Sequence, residues 1–173
     1  MQVKRASIEP NFHSLYIAVI EQVDSKQLYQ LVLAHTYRNI RTLLNSEKIT
    51  TNQSERSLLK NLGSWLGSLT LARNKPILYK DLELKSLVFD AYERGRLIAV
   101  IPFVAKVLDA CTRSKIFAPP NVWVMAQLKL LAEIYNEPDL KLNLTFEIEV
   151  LCNNLHLDIR RMLRRCSVVP CFY

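Results

Sequence analysis

The stretch LLKNLGSWLGSLTLARNKP, residues 58–76, places Gly63 and Gly67 four residues apart inside an otherwise helical pattern. A glycine in a helix interior costs about 1 kcal/mol relative to alanine. One turn apart, the two share a side of the helix with Leu59, Leu66 and Thr70, and together they leave a strip without side chains. Such a strip lets a neighbouring backbone approach closely, and the added dispersion attraction offsets the lost propensity. The pair therefore predicts a helix packed tightly on another element. The spacing is not that of a glycine-rich phosphate loop, which also needs a lysine and a hydroxyl after its last glycine.

The chain holds only one further glycine, Gly95, in 173 residues. Strands joined by tight turns usually need glycine at positive φ, so the scarcity points to an all-α fold. A chain of this length is expected to form one domain. Helices are predicted from Pro10 through Ile20, over 26–46 behind Ser25, and over 53–73 behind an Asn52/Glu55 capping box. Further helices follow behind an Asp81 cap to Tyr92, over 96–114 with a kink or restart at Pro102, from Val122 to Tyr135, and over 140–157. In the second, Leu28, Leu31 and Val32 mark one apolar stripe, and Leu33, Tyr37, Ile40 and Leu44 mark another. A helix lying between two neighbours needs that pattern, whereas a surface helix shows one stripe. Stacked antiparallel hairpins of this kind give an α-solenoid without a sheet.

Composition narrows the function classes. No apolar run approaches the roughly 18 residues that cross a bilayer, and the N-terminus lacks the apolar core of a signal peptide. Cys111 and Cys152 sit in apolar helical patterns, and Cys166 and Cys171 lack zinc-ligand spacing, so a reducing intracellular setting is expected and no metal. The net charge of +7 owes four charges to RRMLRR, residues 160–165. RNA contact is expected to be indirect or confined to that tail, because most aromatics fall inside apolar stripes instead of interleaving with Lys and Arg. His13, His35 and His156 fit no catalytic signature, and Glu147 and Glu149 point to different sides of a helix. No catalytic residue and no cofactor is indicated.

Several blocks carry a resemblance. RSLLKNLGSWLGSLTLARNKPI resembles the leucine–glycine helix of the middle domain of initiation factor four-G, and more closely its counterpart in the scaffold subunit of the CCR-four–NOT deadenylase complex. VKRASIEPNFHSLY, TYRNIRTLL, DLELKSLVFDAY, IPFVAKVLDA, FAPPNVW and DLKLNLTFEIEVLCNNL agree in the same order over most of residues 3–159. Val122 stands where the family often has proline, and the likeness is drawn to end near Ile159. Residues 1–159 are thus expected to form a HEAT-like domain and 160–173 a divergent basic tail. The resemblance implies a non-catalytic scaffold that docks a Caf-type deadenylase nuclease and the second RecA-like lobe of a DEAD-box decay helicase. It also implies contact with other subunits of the complex, roles in mRNA decay and translational repression, and a cytoplasmic location that includes decay granules, with the nucleus as a second compartment. A translation-initiation scaffold and a direct RNA-binding domain are the competing readings.

Two surfaces are candidates. Polar stripes at helical spacing comprise Ala34, Arg38, Arg41 and Asn45; Lys60, Asn61, Ser64 and Ser68; and Pro102, Lys106, Asp109 and Arg113. With the resemblance, Arg38, Arg41, Lys60, Asn61, Ser64 and Lys106 are expected to face the helicase. The proline-stiffened segment IFAPPNVWVM, with Phe117, Pro119, Pro120, Asn121, Trp123 and Met125, is expected to meet the nuclease, since a preorganised aromatic loop loses little entropy on docking.

Overall fold

The computed structural model describes residues 2–159 and Met162, so the RRMLRR cluster (but for Met162), Cys166, Cys171 and most of the 160–173 tail lie outside the described residues. Among the described residues the chain is all-helical, without a strand. Eight α-helices follow in order: α1 Gln2–Ile8, α2 His13–Val23, α3 Lys26–Leu44, α4 Gln53–Leu69, α5 Leu84–Glu93, α6 Leu97–Asp109, α7 Val122–Tyr135 and α8 Leu142–Asn154. Short 3-10 turns at Pro10–Phe12, Leu71–Arg73 and Ala110–Arg113 punctuate them.

The helices form a stack of hairpins. α1, α4, α6 and α8 succeed one another in one layer, while α3, α5 and α7 pack back on α4, α6 and α8 respectively. The turns after α4 and α6 also pack on each other, so the same helix-and-turn unit recurs along the stack. α4 is the centre of the core. Leu59, Leu62, Trp65, Leu66 and Leu69 are buried on it, and α6 contributes Ile101, Phe103, Val104, Val107 and Leu108.

The glycine pair sits where α4 crosses α6. A Cβ on Gly63 would lie 2.6 Å from the Phe103 carbonyl oxygen, and one on Gly67 would lie 2.6 Å from that of Val107 and 2.7 Å from the Ala110 Cβ. Backbone touches helix at both points, so no side chain fits. The register, 63 with 103 and 67 with 107, also shows that α4 and α6 run parallel, as alternate helices of stacked hairpins must.

Local chemistry fixes several boundaries. Ser25 Oγ accepts from the Leu28 amide at 3.2 Å and starts α3. Asn52 Oδ1 accepts from Ser54 and Glu55 at α4, while the Glu55 carboxylate accepts from Ser46 Oγ at 2.6 Å. At the end of α5, Gly95 takes φ +67, and the Arg96 amide reaches back to the Ala91 carbonyl at 2.7 Å, closing a Schellman turn. Asn121 caps α7 through the Trp123 and Val124 amides.

Four expectations need correction. A helix at Gln2–Ile8 precedes the one expected to open at Pro10; seven residues make it too short for a clear periodic signal. Asp81 does not cap the fourth helix: it lies in a turn, and α5 begins three residues on, after Glu83. Of the kink or restart expected at Pro102, the restart does not occur: α6 runs through the proline, with burial on both sides of it holding the turn despite the missing amide. Leu31, read as part of a buried stripe, is exposed.

Candidate docking surfaces

Loop 114–121 joins the turn after α6 to α7, and a single side chain from another part of the chain braces it. Asn74, held in the left-handed region at φ 58, ends the turn after α4. Its Oδ1 accepts from Ser114 Oγ at 3.0 Å, from the Lys115 amide at 2.8 Å and from the Ile116 amide at 3.0 Å. Ser114 Oγ in turn accepts from the Phe117 amide at 2.8 Å, and Asn121 Nδ2 donates to the Ile116 carbonyl at 3.0 Å. The loop is therefore ordered by hydrogen bonds at both ends. Phe117 and Trp123 meet edge-to-face, 6.1 Å between ring centroids, and both are half-buried against the core with Met125. Pro119 is half-buried and Pro120 exposed. The apolar groups that face outward are instead Ile116 and Val122, at 58% and 84% exposure. Sequence reasoning chose the aromatics as part of a stiff, preorganised loop and did not name these two.

The residues expected on a helicase-facing surface fall into two groups. Lys60, Asn61 and Ser64 on α4 and Lys106 on α6 lie in one layer and are all half-buried. Lys60 forms an ion pair with Glu147 of α8, Asn61 Nδ2 donates to the Ser7 carbonyl at 2.8 Å, and Arg113 donates to Ser68 Oγ at 2.8 Å. Asn154 of α8 donates to the Asp109 carboxylate at 2.7 Å. These bonds tie the polar stripes of α4, α6 and α8 into one surface. Arg38 and Arg41 are exposed on α3, in the other layer, and Arg41 donates to the Asp81 carbonyl at 2.5 Å. The structure joins four of the six residues and separates the two arginines from them.

A further surface escaped sequence reasoning. α2 buries His13, Ile17 and Ile20, but Phe12, Leu15, Val19 and Val23 form a second apolar stripe at helical spacing on its outward side, and Ile8 of α1 is exposed as well. Glu21 is the only charged residue in α2, and it pairs with Arg73. The signal was present: Phe12, Leu15, Tyr16, Val19 and Ile20 span an arc too broad for one buried face.

No arrangement for acid–base or nucleophilic work emerges among the described residues. Glu147 is taken by Lys60, and Glu149 accepts from the Tyr135 hydroxyl at 2.6 Å on a different side of α8. Burial pushes the Cys111 thiol up to about 12 and the Cys152 thiol up to about 11, so both stay protonated and behave as small apolar groups. Among the described residues no three His, Cys, Asp or Glu side chains are grouped to hold a metal, and no helix is long and apolar enough to cross a membrane.

Residues 1–169 match the model of a protein family described as the CCR4-NOT transcription complex subunit 1 CAF1-binding domain. The chain is 51% identical over 165 residues to the CCR4-NOT transcription complex subunit let-711 of Caenorhabditis elegans, covering 92% of this chain and 6% of that protein. It is 47% identical over 156 residues to the general negative regulator of transcription subunit 1 of Schizosaccharomyces pombe, covering 90% and 7%. Against the protein of the same name in Saccharomyces cerevisiae it is 42% identical over 159 residues, covering 92% and 7%. The chain therefore spans less than a tenth of the length of these relatives.

Proposed function

Because the chain belongs to the family of CCR4-NOT transcription complex subunit 1 CAF1-binding domains, we propose that it is a non-catalytic scaffold domain whose work is to dock a Caf-type deadenylase nuclease. The observation that carries this reading is the family match, which runs unbroken through every described helix. The braced loop at 114–121 supports a place for the contact. Its hydrogen bonds are made before any partner arrives, so docking orders little, and it presents Ile116 and Val122 beside the half-buried Phe117, Trp123 and Met125. Pro119, Pro120 and Asn121 hold that presentation.

The finer assignment is to the HEAT-like middle-domain type. Its support is the spacing of α4, α6 and α8, whose first residues Gln53, Leu97 and Leu142 recur at about 45 residues, within the range of HEAT-type repeats. The proposed domain covers 1–159, with 160–173 as a basic tail. A second surface, the polar face of α4 and α6 with Lys60, Asn61, Ser64 and Lys106, receives the second RecA-like lobe of a DEAD-box decay helicase. Arg38 and Arg41, on the other layer, belong to a contact beyond that face. In this reading the scaffold holds nuclease and helicase on one message, within a cytoplasmic complex active in mRNA decay and translational repression.

The test is binding of the purified chain to the Caf-type nuclease, followed by the same titration with Ile116→Asp/Val122→Asp. Retained folding with at least tenfold weaker nuclease binding supports the loop as the contact. Undiminished binding moves the nuclease to another face, and absent binding by the folded parent chain overturns the scaffold reading.

A further inference from the structure

Beyond the nuclease and helicase surfaces lies a pocket of about 330 Å³ between the C-terminal end of α3, segment 77–83, α5 and the start of α6. Its floor is apolar: Ile49, Ala99 and Val100 are almost fully buried, and Leu44 and Leu87 are half-buried beside them. Its rim is charged and polar, with Arg41, Tyr79, Asp81, Glu83, Asp90 and Arg96. A concave apolar floor with a few converging polar groups is the ordinary form of a binding pocket, and the volume lies at the lower end of that range.

Two arginines hold the walls. Arg96 donates to the Leu44 carbonyl at 2.9 Å and to the Asp90 carboxylate at 2.7 Å, tying the end of α3 to α5 and α6. Arg41 donates to the Asp81 carbonyl, tying α3 to segment 77–83. The cavity is thus formed without an occupant, and a ligand entering it orders little chain.

The same bonds decide the sign of the occupant. Arg96 is spent on Asp90 and a carbonyl, and Asp90 also pairs with Arg94. Arg41 is turned to the Asp81 backbone, not its carboxylate. Asp81 and Glu83 have no ion-pair partner among the described residues; the Glu83 carboxylate accepts from the Ser86 hydroxyl, and the Asp81 charge adds to burial in raising the pKa of Tyr37. On a chain of net charge +7, this rim carries three carboxylates against two arginines. Tyr79 stands at the mouth, 77% exposed beside exposed Leu78.

We propose that this pocket binds a peptide segment of a partner protein that inserts one large apolar side chain onto the Ile49–Val100 floor and sets an adjacent Lys or Arg against Asp81 and Glu83. An acidic segment meets two carboxylates at the rim and is disfavoured. The site is independent of loop 114–121, so its failure leaves the nuclease reading untouched.

The experiment is an amide-resolved NMR titration of the full chain with the peptide Gly-Ser-Lys-Leu-Phe-Arg-Ser-Gly, capped at both ends, and with its counterpart carrying Glu for Lys and Arg. The proposal expects saturable shifts confined to residues 44–49, 79–87 and 96–100, and at least tenfold weaker binding of the acidic peptide. Asp81→Asn/Glu83→Gln, a surface change that spares the core, is expected to weaken the basic peptide about tenfold and to reduce its salt dependence. Shifts that map elsewhere, equal binding of both peptides, no binding at millimolar concentration, or indifference to the double variant would each overturn it.

Discussion

At the residue scale, Gly63 and Gly67 decide how close two helices come, and His13 decides how the N-terminal hairpin responds to pH. Gly63→Ala places a methyl 2.6 Å from a backbone oxygen that cannot swing aside. The gain in helix propensity is about 1 kcal/mol, and overpacking against backbone falls at the upper end of the roughly 1–3 kcal/mol range, so a net loss of about 2 kcal/mol is expected in urea unfolding. Gly95→Ala serves as a contrast, since its cost is the positive φ alone and its Cβ meets nothing. His13 is buried, its Nε2 donates to the Ala6 carbonyl at 2.6 Å, and its ring lies 5.3 Å from Trp65. Burial, assisted by the charge of Arg113, lowers its pKa below the ordinary 6.5. Above pH 6.5 both folded and unfolded states hold it neutral. As pH falls through that value the unfolded chain takes up the proton first, so stability declines until the folded pKa is also passed. A urea midpoint that drops between about pH 7 and 5, and drops less in His13→Gln, checks this; an unchanged slope in the variant contradicts it.

At the scale of elements, caps and glycines were readable and exposure was not. Ser25 and Asn52 announced α3 and α4 because each side chain meets amides two or three residues ahead, a local geometry that spacing reveals; Asn121 caps α7 in the same way but was read from the sequence only as a contact residue. α1 was missed because seven residues carry too little pattern, and Asp81 misled because a turn can use the same residue types as a cap. The bracing of loop 114–121 by Asn74 was invisible for another reason: the partners are about forty residues apart and meet only when the stack forms. Asn74→Ala is expected to free two amides and a hydroxyl, raise hydrogen exchange at residues 115–117 at least tenfold, and weaken nuclease binding without removing it. An unchanged exchange rate there contradicts the brace.

At the scale of the whole molecule, the architecture followed from helices apolar on two sides, but which faces stay open did not. Periodicity shows that α2 has a broad apolar arc; only the stack shows that Ile17 and Ile20 are covered while Leu15 and Val19 are not. Leu15→Glu is accordingly expected to leave stability within about 0.5 kcal/mol, as an exposed substitution, whereas Ile17→Ala costs about 2–5 kcal/mol. Likewise Arg38 and Lys60 shared a polar character in the sequence, and the fold put them in different layers. A helicase lobe on the α4–α6 face is therefore expected to respond to Lys106→Glu and to be indifferent to Arg38→Glu.

The most direct measurement is titration calorimetry of this chain with the Caf-type nuclease. A one-to-one complex is expected, which Ile116→Asp/Val122→Asp weakens at least tenfold while circular dichroism stays unchanged. No heat of binding from a parent chain that unfolds cooperatively would contradict the proposal that this stack of helices is a nuclease-docking scaffold.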